Sequence, residues 1–357
     1  MRVLGSGELR LLRRLVIDPS LRQASLAQEL NVTRSAINQI WHKLSSDFDA
    51  AIRSNLDFGK LGLLFVFGWG REGGSPNVLS KFSQWLHSNR FVTRLTISIM
   101  SSTMDTRVYY EAILPVGKQY SWFRSQMERF GKKPYSLKLD YEVVSSVANH
   151  MNLGLFDGFQ WGFSNDFRLE ASIGAARNYV DVLPVLSTSI QSETNPVDLH
   201  DLVIAAALES NYHVTATELA KKLDLLGLKP LSGRTLRRRL ARFRKSLTIP
   251  YVNISHIGLD QKIVVCLKEK NSSKSTISRL LHAQASTFPK ARVLSGSNMT
   301  VIDFETPEYV DWVTMSQILS SMTDNTSEIC TFIAKNHEIN KRLESVVSHL
   351  ASQAPSE

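Results

Sequence analysis

Apolar side chains recur at helical spacing in two distant stretches of this chain. Each stretch holds a trio at i, i+4 and i+7, which is Ile37, Trp41 and Leu44 in the first and Leu236, Leu240 and Phe243 in the second. That spacing places each trio on one face of a helix. We predict these helices over 33–45 and 232–245. Thr33 and Ser232 are the expected N-caps, because their hydroxyls can accept from free backbone N–H groups.

The segments around these two helices also repeat. A Leu-Ala-x-x-Leu pattern at 26–30 is matched at 219–223, and a turn follows each copy. A longer helix is predicted before each, near 6–17 and 198–210. Three helices with a short turn before the last one form a helix-turn-helix pattern. The extended stretches that follow, 52–58 and 249–255, are each expected to form a wing and a connector.

Residues 61–144 alternate between strand and helix patterns. Strands are predicted at 61–67, 91–100, 106–114 and 135–143, with amphipathic helices at 77–88 and 119–130. This βαββαβ order is that of a ferredoxin-like unit. A second copy is predicted from strands at 261–268, 291–294 and 300–305, a helix at 275–285 and a helix starting near Pro307. Its fourth strand is not evident, so we expect this copy to be degenerate.

Two segments fall outside the repeats. Residues 146–195 are interpreted as a connector with partial helix near 167–180. From Ile329 to Leu350, apolar residues follow a 4-3 spacing with Asn336 at a core position. This spacing is typical of a coiled-coil seam, in which a polar residue sets register, but also of an amphipathic helix docked on its own domain. Both interpretations stay open at this point.

The predicted fold class is α+β, with two winged helix-turn-helix domains alternating with two ferredoxin-like βαββαβ domains. We place the helix-turn-helix domains at 1–58 and 196–256. The ferredoxin-like domains are placed at 59–145 and 257–325, the second being degenerate. The connector spans 146–195, and an amphipathic helix is expected at 326–350. A chain of 357 residues is long enough for such a multi-domain arrangement.

Composition adds a preference for polyanionic partners. The net charge is +9, and the 43% hydrophobic content supports folded cores. Cys266 and Cys330 stand among apolar residues and are expected to be buried and reduced, because two cysteines provide no metal-ligand or disulfide framework. The sequence shows no secretory signal and no apolar run long enough for a membrane helix. We therefore expect a cytoplasmic, nucleoid-associated protein without metal or cofactor.

The second repeated helix is rich in arginine. Residues 232–245 include seven basic residues and no acidic residue. Arg234, Arg238 and Lys245 lie opposite the apolar stripe, and Arg237 and Arg242 flank them. A cationic face behind a core face is suited to the phosphate backbone of a nucleic acid. The alternative is a solvated surface helix, although such helices usually mix both signs of charge.

The first repeated helix carries a more polar surface. Its predicted exposed residues are Arg34, Ser35, Asn38, Gln39 and His42. Asn and Gln pair bidentately with adenine and Arg with guanine, so this set is suited to reading bases in the major groove. The alternative is an ordinary polar face. We predict a division of labour in which the first helix discriminates sequences and the second anchors the backbone.

A helix-turn-helix followed by a βαββαβ domain resembles the leucine-responsive/asparagine-synthesis (Lrp/AsnC) family of archaeal and bacterial feast-or-famine regulators. The resemblance rests on the helices at 26–44 and 219–243, on the strand starts at Gly62 and Gly258, and on element order. It implies a transcription regulator that binds double-stranded DNA. It also implies pairing of the sheet domains, and hence a homodimer or larger assembly.

The family usually binds small effectors at a loop that holds a Gly and then an Asp. Here Ser101–Asp105 has the Asp without the Gly, and Gly296–Thr300 has the Gly without the Asp. Neither copy keeps the full pattern. A small-molecule effector is therefore a possible partner only, and the sequence names no ligand.

The same two-copy architecture also resembles siroheme decarboxylases, which carry a His-Asn-Tyr-like signature on the second strand. The corresponding strands here, 92–97 and 290–294, lack His and Tyr. No nucleophilic or paired-carboxylate motif stands out elsewhere, so the sequence predicts a protein that is not an enzyme and has no catalytic residues. An architectural or RNA-binding protein is the other alternative, although RNA readers usually display aromatic residues on an open sheet.

Overall fold

The computed structural model describes residues 3–72, 76–163, 197–270, 276–321, 327–334 and 339–353. The fold is α+β and contains a curled antiparallel sheet. The chain starts with a three-helix unit followed by a strand. Its elements are α1 (Ser6–Ile17), α2 (Gln23–Leu30), α3 (Arg34–Phe48) and β1 (Ala51–Leu56).

The first half of the sheet follows β1 and has the predicted βαββαβ order. Its elements are β2 (Leu63–Arg71), α4 (Pro76–Ser88), β3 (Val92–Ser101), β4 (Arg107–Pro115), α5 (Lys118–Gly131) and β5 (Lys138–Val143). The strands are hydrogen-bonded in the order β5-β2-β4-β3. A further strand, β6 (Ser146–Met151), follows β5 after two residues.

The second three-helix unit repeats the plan of the first. Its elements are α6 (Leu199–Ser210), α7 (Ala216–Leu225), α8 (Gly233–Ser246) and the strand β7 (Thr248–Asn253). Both predicted N-caps are confirmed, because Thr33 accepts from the Ala36 N–H at 3.1 Å and Ser232 from the Thr235 N–H at 3.2 Å. The predicted apolar stripes are buried in both units, except that Trp41 is only partly buried.

The second half of the sheet contains four strands. Its elements are β8 (Gln261–Glu269), α9 (Thr276–Ala285), β9 (Lys290–Ser295), β10 (Met299–Thr306), α10 (Trp312–Ser321) and β11 (Ser327–Ala334). They are ordered β11-β8-β10-β9, which repeats the order of the first half. The chain continues through β12 (Ile339–Asn340) and α11 (Leu343–Gln353). The second half was expected to lack a fourth strand, but β11 is that strand. The number and order of strands are therefore the same in both halves.

The fourth strand corrects the expectation of one long C-terminal helix. Strand β11 occupies 327–334, and only 343–353 is helical; Asn336 lies outside the described residues. Strand β11 pairs with β3 on one edge and with β8 on the other, and six of its eight residues are buried, so that both of its faces are covered. A strand buried on both faces has no period of two, and its apolar residues imitated a helical spacing. The helix predicted near Pro307 begins instead at Trp312, where the Asp311 carboxylate accepts from the Val313 N–H at 2.9 Å.

The segment after β5 is not only a connector. Strand β6 pairs with β9, so the two ends of the ten-stranded sheet are joined by the consecutive residues Val144 and Ser145. Farther on, the indole of Trp161 donates to the Ile257 carbonyl at 2.7 Å and fixes this segment on the second half. The partial helix expected at 167–180 lies outside the described residues.

The two three-helix units are linked by a ribbon formed by β1 and β7. These strands pair antiparallel over their whole length, with Arg53 opposite Tyr251. Within the described residues, neither strand folds back into a hairpin of its own, which corrects the expectation of a wing in each unit. Pairing with the equivalent strand of the other copy satisfies the same backbone groups that a wing hairpin would satisfy.

Candidate functional site

Helix α3 presents the five residues predicted for base recognition. Arg34, Ser35, Asn38, Gln39 and His42 are all exposed. The amide of Gln23 on α2 approaches the Asn38 side-chain oxygen at 3.4 Å. Ile37 and Leu44 point into the core on the other face. The predicted polar face is thus accessible along the first three turns of the helix.

Helix α8 presents the five predicted cationic residues. Arg234, Arg237, Arg238, Arg242 and Lys245 are exposed, and the buried stripe lies opposite. Among the described residues, only Arg242 of these five has an acidic partner within ion-pair distance, at 3.5 Å from Asp201. Unpaired guanidinium groups on an exposed face keep their full charge available to a polyanion.

A different arginine fastens α8 to its unit. Arg239 contacts Asp198 and Asp201 at the start of α6, with both N–O distances 2.9 Å. Arg242 shares Asp201 and also lies over the Phe243 ring at 5.3 Å from the ring centroid. Arg244 donates to the Tyr212 and Val214 carbonyls at 2.9 and 2.6 Å. The basic residues of α8 therefore divide into a fastening set (Arg239, Arg242 and Arg244) and an outward set. The outward set, named here the α8 cationic face, comprises Arg234, Arg237, Arg238 and Lys245.

A cleft separates the two three-helix units. Its volume is about 1080 Å³, and apolar side chains such as Leu15, Ile37 and Leu240 form much of its lining. Four arginines also line it, namely Arg22, Arg34, Arg237 and Arg244. The structure therefore brings Arg34 of the first recognition set together with Arg237 of the second on one cleft. The other eight predicted residues do not line it.

One histidine of the cleft, His213, is half-buried. The Nε2 atom of His213 is buried and has no hydrogen-bond partner among the described residues. Burial, followed by the charge of Arg244, lowers the pKa of His213 below 6.5. A hydrogen bond to the Pro19 backbone acts in the opposite direction but is the weaker effect, so the imidazole is mainly neutral near pH 7.

A second, interior cavity of about 210 Å³ lies where the two halves of the sheet meet the β1–β7 ribbon. At its centre is a charged quartet formed by Arg94, Glu111, Arg292 and Asp303. Arg94 is opposite Glu111 in the first half, and Arg292 is opposite Asp303 in the second. The two copies thus contribute one arginine and one carboxylate each, at equivalent places in the fold.

Ion pairs in the quartet cross between the two halves. Both terminal guanidinium nitrogens of Arg292 donate to the Glu111 carboxylate, at 2.7 and 3.0 Å, and Arg94 also donates to Glu111 at 3.1 Å. Arg94 completes the set with an ion pair to Asp303. Burial opposes ionisation of Glu111, but the charges of Arg292 and Arg94 outweigh it, so the pKa of Glu111 lies below its ordinary value.

The outer part of this cavity is more cationic. Seven lysine and arginine side chains and four carboxylates line it in all. Glu305 is paired with Lys290 at 2.7 Å, whereas Arg342 has no acidic group within ion-pair distance among the described residues. Burial raises the pKa of Glu209 to about 7, despite a bond from the Leu343 N–H and the nearby charge of Arg342.

The sequence interpretation missed the quartet. The available signal was a charged residue in the interior of each of four strands, as in Val-Ile-Asp-Phe around Asp303. Charged residues are almost never fully buried unless they are paired. Such isolated charges in predicted strands therefore indicate partners, but only the fold identifies which strand supplies each one.

The loop of the first copy at the family's effector position, which lacks the family's Gly, is filled by internal contacts. Thr103 hydrogen-bonds to Asp105, and Arg107 lies 3.4 Å from the Asp105 carboxylate. Arg71 approaches the same carboxylate at 3.9 Å. The Asp105 carboxylate is therefore already engaged by the chain itself.

Two general features complete the description. Cys266 and Cys330 are free and buried, and they lie opposite each other on β8 and β11. None of the helices in the described segments is both long and apolar enough to cross a membrane.

Comparison with known proteins gives structural similarity only. No protein-family model matches the chain, and no curated protein matches it by sequence. The structure of the siroheme decarboxylase NirDL matches with a TM-score of 0.53 at 10% identity, covering 97% of this chain and 97% of that one. The same enzyme in co-complex with an iron-uroporphyrin III analogue matches with a TM-score of 0.53 at 11% identity, covering 97% and 98%.

A regulator from Pyrococcus furiosus matches much less of the chain. This transcriptional regulatory protein of the ASNC family covers 40% of our chain and 90% of its own, at 17% identity and a TM-score of 0.27. A similarity of that size does not define a shared fold. The full-length matches establish that the chain has the fold of NirDL, with two helical units and two sheet halves in one polypeptide.

These matches correct one prediction from the sequence. The expectation that the chain is not an enzyme is contradicted, because two solved structures that match 97% of it are of an enzyme. The expectation had rested on a short His-Asn-Tyr-like signature that is missing from two strands. At 10% identity a fold is retained while short motifs are replaced, so the missing signature does not exclude catalysis.

Proposed function

We propose that this chain is a transcription regulator that binds double-stranded DNA through α3 and α8, with each three-helix unit acting as a helix-turn-helix domain. In this proposal the two halves of the sheet are ferredoxin-like domains of the Lrp/AsnC type. The observation that supports it best is the α8 cationic face, which has no acidic partner within ion-pair distance among the described residues. A surface of that kind supplies the nonspecific, salt-dependent part of DNA binding.

The two helices have different proposed roles. Asn38 and Gln39 on α3 correspond to Arg237 and Arg238 on α8, since both pairs directly follow the first buried residue of their stripe. Amide side chains read adenine, whereas a run of arginines mainly holds phosphates. We therefore assign base discrimination to α3 and backbone anchoring to α8, so that the DNA site of one chain is asymmetric.

One chain provides two DNA-binding units, as a dimer of single-copy regulators would. The β1–β7 ribbon connects the ends of α3 and α8, which restricts their relative positions. Two half-sites about one DNA turn, ~34 Å, apart would be covered by one chain. A homodimer would then carry four such units.

The test of this function is selection of bound sequences from a random duplex pool at fixed salt. The wild type is expected to yield a defined motif, and duplex DNA should outcompete single strands and RNA. Asn38→Ala should lose about 1–3 kcal/mol of discrimination at one or two positions, because a bidentate contact to a base is removed. Ser46→Ala, at the end of the same helix, is the matched control. If the selected sequences share no motif, sequence-specific regulation is contradicted. If RNA binds more tightly than duplex DNA, the DNA assignment is contradicted.

A second candidate function is an enzyme that acts on an anionic tetrapyrrole, the class of molecule bound in one NirDL structure. The observation that favours it is the cleft between the helical units. It combines an apolar lining with Arg22, Arg34 and Arg237, which are suited to bind carboxylates, and His213 also lines it. Its volume of about 1080 Å³ is at the upper end of ordinary ligand pockets, roughly 300–1,000 Å³.

This candidate is tested by titrating the protein with an iron uroporphyrin. We expect a shift of the porphyrin absorbance that saturates at one equivalent and changes in His213→Ala. The half-buried His150 of the interior cavity provides the control, since His150→Ala should leave the spectrum unaltered. Bound porphyrin that loses carbon dioxide would establish the enzyme. An unchanged absorbance at all concentrations would refute it.

A further inference from the structure

We propose that the interior cavity binds a small anion with two or more negative charges, held between Arg53 and Arg342, and that this anion fixes the β1–β7 ribbon against the sheet. The cavity is separate from the cleft and from the α8 cationic face. Its binding function is independent of the DNA proposal. What the anion does to the orientation of α3 and α8 on DNA rests on that proposal.

The first argument is the charge balance of the cavity. Arg94, Arg292 and Lys290 are neutralised by Glu111, Asp303 and Glu305. Arg342 has no acidic group within ion-pair distance among the described residues, and the nearest carboxylate to Arg53 is the exposed Asp49 at 3.7 Å. Glu209, the fourth carboxylate of the lining, lies near Arg53 and Arg342, but burial raises its pKa to about 7 and so reduces its charge near neutral pH. Seven lysine and arginine side chains therefore face four carboxylates, which leaves a surplus of cations.

The second argument is that these cations converge. Burial and then the charge of Arg342 lower the pKa of Arg53. Two guanidinium groups that disfavour each other's charge gain from an anion placed between them. Tyr251 lies opposite Arg53 on the ribbon and interacts with the same two arginines, so its hydroxyl can donate to the same ligand.

The third argument concerns ligand size and chemistry. The cavity of about 210 Å³ is smaller than the roughly 300–1,000 Å³ typical of drug-sized ligands. It is therefore suited to a small molecule, not to a tetrapyrrole. Arginine binds carboxylate and phosphate groups through the same planar pair of N–H donors. A polycarboxylate and a phosphate share this chemistry, and the experiment distinguishes them.

The position of the cavity gives the bound anion a structural effect. Arg53 and Tyr251 belong to the ribbon that follows α3 and α8, whereas Arg342 precedes α11 and is anchored where the Lys341 N–H donates to the Thr93 carbonyl at 2.7 Å. An anion that contacts both sides links the ribbon to the sheet. It would thereby restrict the relative orientation of the two helical units.

The test is isothermal titration calorimetry of the full chain with citrate and with inorganic phosphate at constant ionic strength, with acetate as the monovalent comparison. We expect one site per chain for at least one of the two multivalent anions, and no site for acetate. Arg342→Gln should weaken binding about ten- to hundred-fold, the loss of one charge-assisted contact. Arg124→Ala, an exposed arginine on α5, should bind as the wild type does.

A gain-of-function variant keeps the proposal falsifiable if Arg342→Gln folds poorly. Glu209→Gln removes the carboxylate that faces Arg53, Tyr251, Arg292 and Arg342, so the anion should bind more tightly at pH 8. Absence of binding by both citrate and phosphate would overturn the proposal, as would equal affinity in the wild type, Arg342→Gln and Glu209→Gln. If the anion binds but DNA does not, the cavity assignment stands and the regulator proposal fails.

Discussion

Replacing Arg234, Arg238 and Lys245 together by alanine is expected to lower DNA affinity about a thousand-fold near 0.1 M salt, at roughly ten-fold per lost phosphate contact. These residues belong to the α8 cationic face and have no acidic partner within ion-pair distance among the described residues. Their removal leaves the fastening contact between Arg239 and Asp198 intact. The slope of log affinity against log salt should become shallower by about three units. Fluorescence anisotropy over a salt series measures both quantities.

The control must separate local contacts from total charge. Replacing Lys118, Arg124 and Lys132 on and beside α5 by alanine removes the same three charges from exposed positions of the sheet half. This variant is expected to retain the wild-type slope. Charges that lie more than about 10 Å from the DNA phosphates are screened at 0.1 M salt and contribute little to binding. An equal loss in both variants would indicate attraction by net charge alone and would contradict the anchoring role of α8.

The parts of the fold that could be predicted depend on local signals. The buried stripe of α8 and its Ser232 cap are specified within one stretch of sequence, so the boundaries agree to within about a residue. Strand β11 was missed because its buried residues lie on both faces and show no alternation. The strands that it pairs with, β3 and β8, are distant in sequence and give no local signal. Likewise, the pairing of β1 with β7 replaces two local wings by one long-range contact.

The residues of the candidate sites were also predictable only where a local pattern determines their position. The outward arginines of α8 were predictable, since helical periodicity decides which side chains face solvent. The charged quartet was not predictable, since Arg94 and Asp303 meet only when β3 and β10 are brought together by the curled sheet. The cleft between the helical units is likewise a product of how the two copies are arranged. The largest departures from sequence-based expectation therefore lie between the repeats.

Removal of the Glu111 carboxylate is expected to destabilise the protein more than any surface change. Glu111 is 3% exposed and holds both Arg94 and Arg292, with the Tyr109 hydroxyl donating to it at 2.8 Å. Glu111→Gln leaves two guanidinium groups without their shared counter-charge in a buried setting. Breaking one partner of a buried ion pair costs about 3–5 kcal/mol. Urea unfolding followed by circular dichroism measures this loss.

The pH dependence distinguishes loss of charge from loss of packing. Because the folded-state pKa of Glu111 lies below its ordinary 4.5, the carboxylate stabilises the fold above that pH, and the stabilisation is lost as pH falls through the folded-state value. The difference in unfolding free energy between the wild type and Glu111→Gln should therefore be full at pH 7 and shrink below about pH 4.5. Glu128→Gln, on the exposed face of α5, should change stability by less than about 0.5 kcal/mol at either pH. A Glu111→Gln penalty that persists unchanged in acid would place its origin in packing and would remove the ionic role assigned to the quartet.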